Sequence, residues 1–303
     1  MISEPALDRL SAMFRGPDVA GTRYELVSVL GRGGMGVVYL ARDSALDREV
    51  ALKVIDRPSA DQEATDRLAR EARILARLEH PGIVPVHDFG QLPDGRLFYA
   101  MKRVHGDRLD RWVAGRRDLG ERLGVFLRVC DAVAFAHAHG VIHRDVKPEN
   151  VMVGEFGEVL VLDWGVATDV RPRESGLGIG DSERAAIVGT PEYMAPEQAR
   201  GDAGVDHRAD VFALGTLLDM MASSAPLAAI ALKARSADPA ARYQDVQALS
   251  GDVGRFLAGR AVGAHRENLL DRFVRLGRRY RIPILLVLTY LLVRAVMLWR
   301  FHV

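Results

Sequence analysis

The strongest constraint on this chain is the run His143-Arg144-Asp145-Val146-Lys147-Pro148-Glu149-Asn150, followed thirteen residues after Asn150 by Asp163-Trp164-Gly165. An aspartate with an asparagine five residues on, and then a second aspartate in an Asp-x-Gly turn, brings three oxygen-bearing side chains from two short segments. Oxygen ligands of this kind suit a hard divalent cation such as magnesium. Lys147 adds a positive charge beside them, and the set fits the needs of phosphoryl transfer.

Three further motifs lie around this pair in order. Gly31-Arg32-Gly33-Gly34-Met35-Gly36-Val37-Val38 fits G-x-G-x-x-G-x-V, Lys53 lies in Ala51-Leu52-Lys53-Val54, and Ala195-Pro196-Glu197 closes the series. Together the five motifs resemble the protein kinase family over residues 24 to 257. Lys147 and the stretch from Gly189 to Ala199 resemble its serine/threonine branch in the bacterial, eukaryotic-like form. The resemblance implies an α+β, two-lobed fold: a small β-rich N-lobe with one main helix (23–102) and a larger helical C-lobe (105–259). Before this 23–259 kinase domain stands a leader, 1–22, whose Gly16, Pro17 and Gly21 imply loose order.

Composition is consistent with this reading. An apolar content of 49% is ample for a core, and a net charge of +1 argues against a nucleic-acid partner. The single cysteine, Cys130, has no partner for an internal disulfide and lies in an apolar, helix-like stretch, so it reads as a small core residue. The N-terminus carries an early acid and no seven-residue apolar run, which excludes a secretory signal there.

The residues of the small lobe carry their own argument. From Tyr24 to Ala100 short Val-, Leu- and Tyr-rich strands alternate with turns, with one helix from about Asp61 to Glu79. Lys53 sits in an apolar strand, where an ammonium is costly unless paired. On the helix, Leu68, Leu75 and Leu78 share one face by spacing, and Glu71 falls on that face. A carboxylate on an apolar stripe needs a cation, so Glu71 is expected to pair with Lys53. Glu63 and Glu79 read as solvated.

What the kinase resemblance implies for the site can be carried over residue by residue. ATP and Mg2+, with Mn2+ as an alternative ion, are the implied ligands. Leu30, Gly31, Gly33, Gly36, Val38 and Ala51 would surround the nucleotide. Lys53, held by Glu71, would take its α and β phosphates. Met101 would back the adenine pocket, with Lys102 and Val104 in the hinge that bonds the base. Asp145 would accept the proton of the acceptor hydroxyl, Lys147 would neutralise the migrating group, and Asn150 and Asp163 would hold the metal. His143 is expected to pack, and Arg144 to hold a phosphate of the activation segment. His137 and His139 form an H-x-H with no third ligand in view and read as helix-end histidines. Trp164 stands where kinases generally carry Phe, a larger ring with a donor that should alter how the turn flips.

The segment from Asp163 to Glu197 holds Thr168, Ser175, Ser182 and Thr190 among glycines and reads as an activation loop regulated by autophosphorylation. Ser182 is the favoured acceptor, and self-association for that reaction follows; Thr190 would instead bind Asp145 and Lys147. By resemblance, Asp210 would hold the catalytic-loop backbone and Arg242 would tie to Glu197. Only 31 residues separate Asp210 from Arg242, a shortened late C-lobe in which Ser223 to Pro226 cross the gap, and this puts substrate docking and stability in question.

Residues 260–281 form a basic juxtamembrane segment; from 266 to 281 six arginines face two acids. Residues 282–299 follow as an apolar helix, about 27 Å long, read as a transmembrane or anchoring segment. The expected location is therefore the bacterial cell membrane, single-pass, with the kinase domain cytoplasmic; a packed C-terminal helix on a cytoplasmic protein is the alternative. The leading functional class is a serine/threonine kinase acting on protein substrates. The competing classes are an ATP-binding pseudokinase or scaffold and, less favoured, a small-molecule phosphotransferase.

Overall fold

The computed structural model describes residues 16–33, 36–55, 62–115, 118–165, 167–169, 191–202, 204–222, 224–265 and 281–301. Five strands build the small lobe: β1 (Tyr24–Gly33), β2 (Gly36–Asp43), β3 (Arg48–Val54), β4 (Val86–Gln91) and β5 (Leu97–Lys102). They pair antiparallel in the order β1-β2-β3-β5-β4, so β3, rich in branched and aliphatic residues, runs through the middle. One face closes over Val37, Tyr39, Leu52, Val54, Phe98 and Ala100. Helix α1 (Gln62–Arg77) lies between β3 and β4 in the chain. Its buried Leu68, Ala72 and Leu75 belong to the same apolar cluster as the large lobe, not to the sheet's own cluster. The helix that carries Glu71 is thereby coupled to both halves of the molecule.

The leader departs from expectation within the described residues. Val19 packs against the sheet's apolar cluster, and the backbone N–H of Asp18 donates to the Asp94 carboxylate at 2.9 Å. Thr22 Oγ1 closes a turn onto the Val19 carbonyl. Of the residues that read as loose order, Gly21 (φ +73) lies in that turn, and the segment is fixed on the small lobe.

The large lobe begins with β6 (Gly106–Arg108), α2 (Leu109–Ala114) and α3 (Leu119–Ala138). The Asp118 carboxylate caps α3 by accepting from the Glu121 N–H. Leu123, Phe126, Val129, Cys130, Val133 and Ala136 are all buried along α3, the pattern of a helix enclosed by its neighbours. Then come β7 (Val141–Ile142), a 3-10 turn at Pro148–Asn150, β8 (Val151–Gly154), β9 (Val159–Val161) and β10 (Thr168–Asp169). After α4 (Pro196–Ala199), helices α5 (Arg208–Met221), α6 (Ala225–Ala234) and α7 (Val246–Leu257) complete the lobe. The α+β, two-lobed fold class is the one observed.

The shortened region is closed by packing. A Cβ on Gly215 of α5 would meet Ala234 Cβ of α6 at 2.6 Å, so these helices approach closely where a glycine permits it. A turn at Pro239–Ala241 then delivers Arg242 into the core. Its buried guanidinium donates to both Glu197 oxygens at 2.7 Å, to the Arg208 carbonyl at 2.9 Å and to the Ser236 carbonyl at 2.8 Å. The tie expected between Arg242 and Glu197 is made.

Helix α8 (Arg281–Phe301) shows Ile282, Leu285, Leu286, Val287, Leu288, Leu291 and Leu292 exposed around its surface. Among the described residues no helix is long and apolar enough to cross a membrane. The expectation of a spanning segment at 282–299 is corrected accordingly. Arg294 interrupts the apolar run, and the uncharged part from Ile282 to Val293 is twelve residues. That is about 18 Å of helix against a hydrocarbon core of about 30 Å.

Arg242→Ala should strand Glu197 without its cation and cost about 3–5 kcal/mol, read as a lower urea midpoint. Arg242→Lys should recover only part of the loss, because an ammonium cannot reproduce the two-pronged bond. A midpoint unchanged in Arg242→Ala would show that the tie carries no stability.

Candidate active site

The site begins with a charge that the sheet itself buries. Lys53 in β3 lies opposite Val38 of β2 and Tyr99 of β5. Its Nζ donates to Glu71 Oε1 at 2.8 Å and Oε2 at 2.9 Å, and to Asp163 Oδ1 at 2.9 Å. The pairing argued from the apolar stripe of the helix is present, and it reaches across the cleft to the Asp-x-Gly turn. Burial works against the Lys53 ammonium, but the charges of Glu71 and Asp163 and the hydrogen bond to Glu71 outweigh it and hold its pKa well above the ordinary lysine value. Burial pushes the Glu71 carboxyl up, opposed by the Lys53 charge and by hydrogen bonds from Lys53 and Tyr99. Burial likewise works to raise Asp163, yet the charge and hydrogen bond of Lys53, with His143 and Lys147, hold it below its ordinary value. The shifts of Lys53 and Asp163 both favour their charged forms.

The catalytic loop lies between β7 and β8 and is pinned from below. Asp210, at the start of α5 and fully buried, accepts from the N–H groups of His143 and Arg144, each at 2.8 Å. Arg144 has φ +66, a left-handed conformation unfavourable for a residue with a side chain, and the two bonds to Asp210 fix it. His137 Nε2 lies 2.7 Å from Asp210 Oδ2. Gln198 Nε2 donates to the Arg144 carbonyl at 2.7 Å. In the loop itself, Lys147 Nζ is 2.6 Å from Asp145 Oδ2, and Asn150 Nδ2 donates to the Asp145 carbonyl at 2.9 Å and to Oδ2 at 3.0 Å. Asp145, Lys147 and Asn150 thus form one interlocked group.

Asp163 also has a positive φ, +56, in the turn that aims its carboxylate at Lys53. Behind it Trp164 is fully buried, tilted against His143 with ring centroids 4.4 Å apart, and its Nε1 donates to the Val161 carbonyl at a long 3.4 Å. The extra donor of this larger ring is therefore used.

On the nucleotide side, β1 and β2 pair Gly31 with Val38 and Gly33 with Gly36. Gly36 has φ +139, and a Cβ there would meet the Val54 carbonyl oxygen at 2.2 Å, so only glycine fits. Around the position of a Cβ on Gly33 there is open space. Ala51 pairs with Leu40 and with Met101, Lys102 follows with its N–H donated to the Pro85 carbonyl, and Val104 lies beyond the strand. Leu30 is exposed. The donor set fits a nucleotide with magnesium. Both bonds from the Asn150 amide nitrogen go to Asp145, which fixes the amide orientation, and the Asp163 carboxylate is ionised and half exposed. These are oxygen groups of the hard type that the ion prefers.

Ser175, Ser182 and Thr190 lie outside the described residues. Thr168 lies in β10, paired with Ile142 of β7. His137 and His139 do not converge: His139 Nδ1 lies 2.8 Å from the Phe135 carbonyl, and no cluster of three metal-binding side chains occurs among the described residues. Sequence reasoning missed Tyr99, Gln198 and the His137–Asp210 contact. No spacing within its own strand marks Tyr99, which is set against Lys53 by the register between β3 and β5.

Comparison with known proteins points the same way. The family model described as a protein kinase domain matches residues 24–249. The serine/threonine-protein kinase PknD of Chlamydia felis is 34% identical over 78% of this chain and 31% of its own length. The DNA damage-responsive serine/threonine-protein kinase RqkA of Deinococcus radiodurans is 42% identical over 67% of this chain and 30% of its own. The crystal structure of the Mycobacterium tuberculosis PknI kinase domain aligns with a TM-score of 0.60 at 29% identity, covering 80% of this chain and 99% of that one. The chain spans about a third of the length of these curated relatives.

Asp210 gives a pH-dependent test. Burial would raise its pKa, but the hydrogen bond and charge of His137, the charge of His143 and the His143 N–H hold it below the ordinary value. A depressed folded pKa contributes stability that is complete above the unfolded value of about 3.9 and is lost as pH falls through the folded value. Asp210→Asn should cost about 2–4 kcal/mol at neutral pH and flatten the acid limb of stability measured by urea unfolding against pH. Acid limbs of equal slope would contradict this.

Proposed function

This chain belongs to the protein kinase family, and we propose that it transfers the γ-phosphoryl group of ATP to serine and threonine hydroxyls of proteins. The observation that carries the reading is the single buried ammonium of Lys53, joined at once to Glu71 and to Asp163 across the cleft. A binding module has no need to hold a buried ammonium between two carboxyl groups in that arrangement, so the scaffold reading is favoured by no observation.

In this reading Lys53 takes the α and β phosphates, and Gly31, Gly33 and Gly36 admit their oxygens to backbone N–H groups. Leu30, Val38, Ala51, Met101, Lys102 and Val104 enclose the base. Asn150 and Asp163 hold magnesium, which supplies positive charge to the phosphate oxygens when bound. Asp145 accepts the proton of the acceptor hydroxyl. Lys147, already 2.6 Å from it, offsets the charge of the migrating group. Catalysis by such a group is positioning and electrostatics, with no covalent intermediate on the protein.

Two further readings accompany this one. Ser182, seven residues before Gly189 in a glycine-containing segment, is proposed as the site of autophosphorylation, with Arg144 as the basic partner of the phosphate. Helix α8 is proposed to attach the chain to a membrane without spanning it. Its exposed aliphatic surface and the arginines from 266 to 281 support insertion at an anionic lipid surface.

Incubation with radiolabelled ATP and magnesium should label the full chain, and Lys53→Met and Asp145→Asn should each abolish labelling. Phosphopeptide mapping should place the label at Ser182. Equal labelling of all three chains would reject the assignment. For the membrane reading, the full chain should co-float with anionic phospholipid vesicles, and a chain ending at residue 265 should not; equal flotation of both would exclude α8 as the anchor.

A further inference from the structure

One group in direct contact with the Lys53–Glu71 pair has no part in the chemistry above. Tyr99 lies opposite Lys53 in the β3–β5 ladder and is fully buried. Its hydroxyl donates to Glu71 Oε1 at 2.8 Å, the same oxygen that accepts from Lys53 Nζ at 2.8 Å. The Lys53 ammonium also lies 5.7 Å from the centroid of the Tyr99 ring. The sheet register thus sets one residue against both members of the ion pair.

A lysine ammonium has three protons to donate, and here they go to Glu71 Oε1, Glu71 Oε2 and Asp163 Oδ1. Any phosphate oxygen that Lys53 takes must draw a proton away from one of these carboxylates. Glu71 is fully buried and has no water to replace a lost donor. The Tyr99 hydroxyl is the donor that stays on Glu71 through that exchange, because it comes from a different strand and has no phosphate to turn to. Burial and the Glu71 charge push the Tyr99 hydroxyl well above its ordinary pKa, so it remains a donor throughout the working range. If α1 moved away and took Glu71 with it, the hydroxyl would be left in the core without its acceptor.

We propose that Tyr99 is a positioning residue for phosphoryl transfer, its hydroxyl holding Glu71 on the β5 side so that Lys53 can turn to phosphate without releasing α1. The proposal rests on the kinase reading for its catalytic consequence and on geometry alone for the hold on α1. The resemblance to kinases assigned no role to this position.

Tyr99→Phe removes one oxygen and keeps the ring, so the core is preserved. In the full chain it should lower kcat/KM for ATP by about tenfold, mainly through KM for ATP, with KM for a peptide substrate unchanged. The acid limb of kcat/KM should move to higher pH, since a donor that favours ionised Glu71 has been lost. In a Glu71→Gln background the same change should have little further effect. Hydrogen–deuterium exchange of residues 62–77 should be faster in Tyr99→Phe, with exchange in β2 and β3 unaltered. An unmoved acid limb together with unchanged exchange over 62–77 would overturn the proposal. A parent chain that transfers no phosphate would end the kinase reading, and the exchange of 62–77 would still decide the Tyr99 hold.

Discussion

A lone ammonium inside an apolar sheet would cost more than a domain of this size can spare, and the arrangement around Lys53 is the response to that cost. Two carboxylates from different parts of the chain, Glu71 on α1 and Asp163 in the turn after β9, meet on one nitrogen. The demand for charge balance therefore fixes two things together: the position of α1 and the direction of the Asp163 side chain. A pair buried between two lobes is weak evidence for stability, since hydrophobic residues of the same volume would often serve as well. Its value lies in specifying an arrangement in which a phosphate can replace a carboxylate as a partner of the lysine.

The large lobe solves the corresponding problem with anions. Asp210 is fully buried and gathers the N–H groups of His143 and Arg144 and the His137 ring, and by doing so holds Arg144 in a left-handed conformation unfavourable for a residue with a side chain. Glu197 is matched by the guanidinium of Arg242, which also collects carbonyls from two neighbouring segments. These polar knots sit at the ends of helices whose bodies are apolar on most sides, so the helices supply burial and the knots supply direction. In the short stretch between Asp210 and Arg242, α6 packs closely against α5, and the turn at Pro239–Ala241 brings Arg242 to Glu197.

Much of this was legible in the residues. The local motifs located Asp145, Lys147, Asn150 and Asp163, and the apolar face of one helix was enough to pair Glu71 with Lys53. What escaped was non-local. Tyr99 meets Glu71 because of the register between β3 and β5, which no spacing within either strand discloses. Gln198 reaches the Arg144 carbonyl across 54 residues, and Val19 docks on a sheet that begins after it. Gly21 marked its turn correctly but could not say that the turn was packed. The apolar run after Arg281 read as long enough to span a bilayer only when Arg294 was counted inside it.

The central claim is that Lys53 is held charged by two carboxylates in the cleft. Its most direct test is NMR titration of the Lys53 side-chain nitrogen in isotopically labelled protein. The account predicts an ammonium signal that persists above the ordinary lysine pKa of about 10.4 and shifts when Glu71 or Asp163 is replaced by its amide. A Lys53 that titrates at or below the ordinary value, indifferent to both replacements, would contradict it.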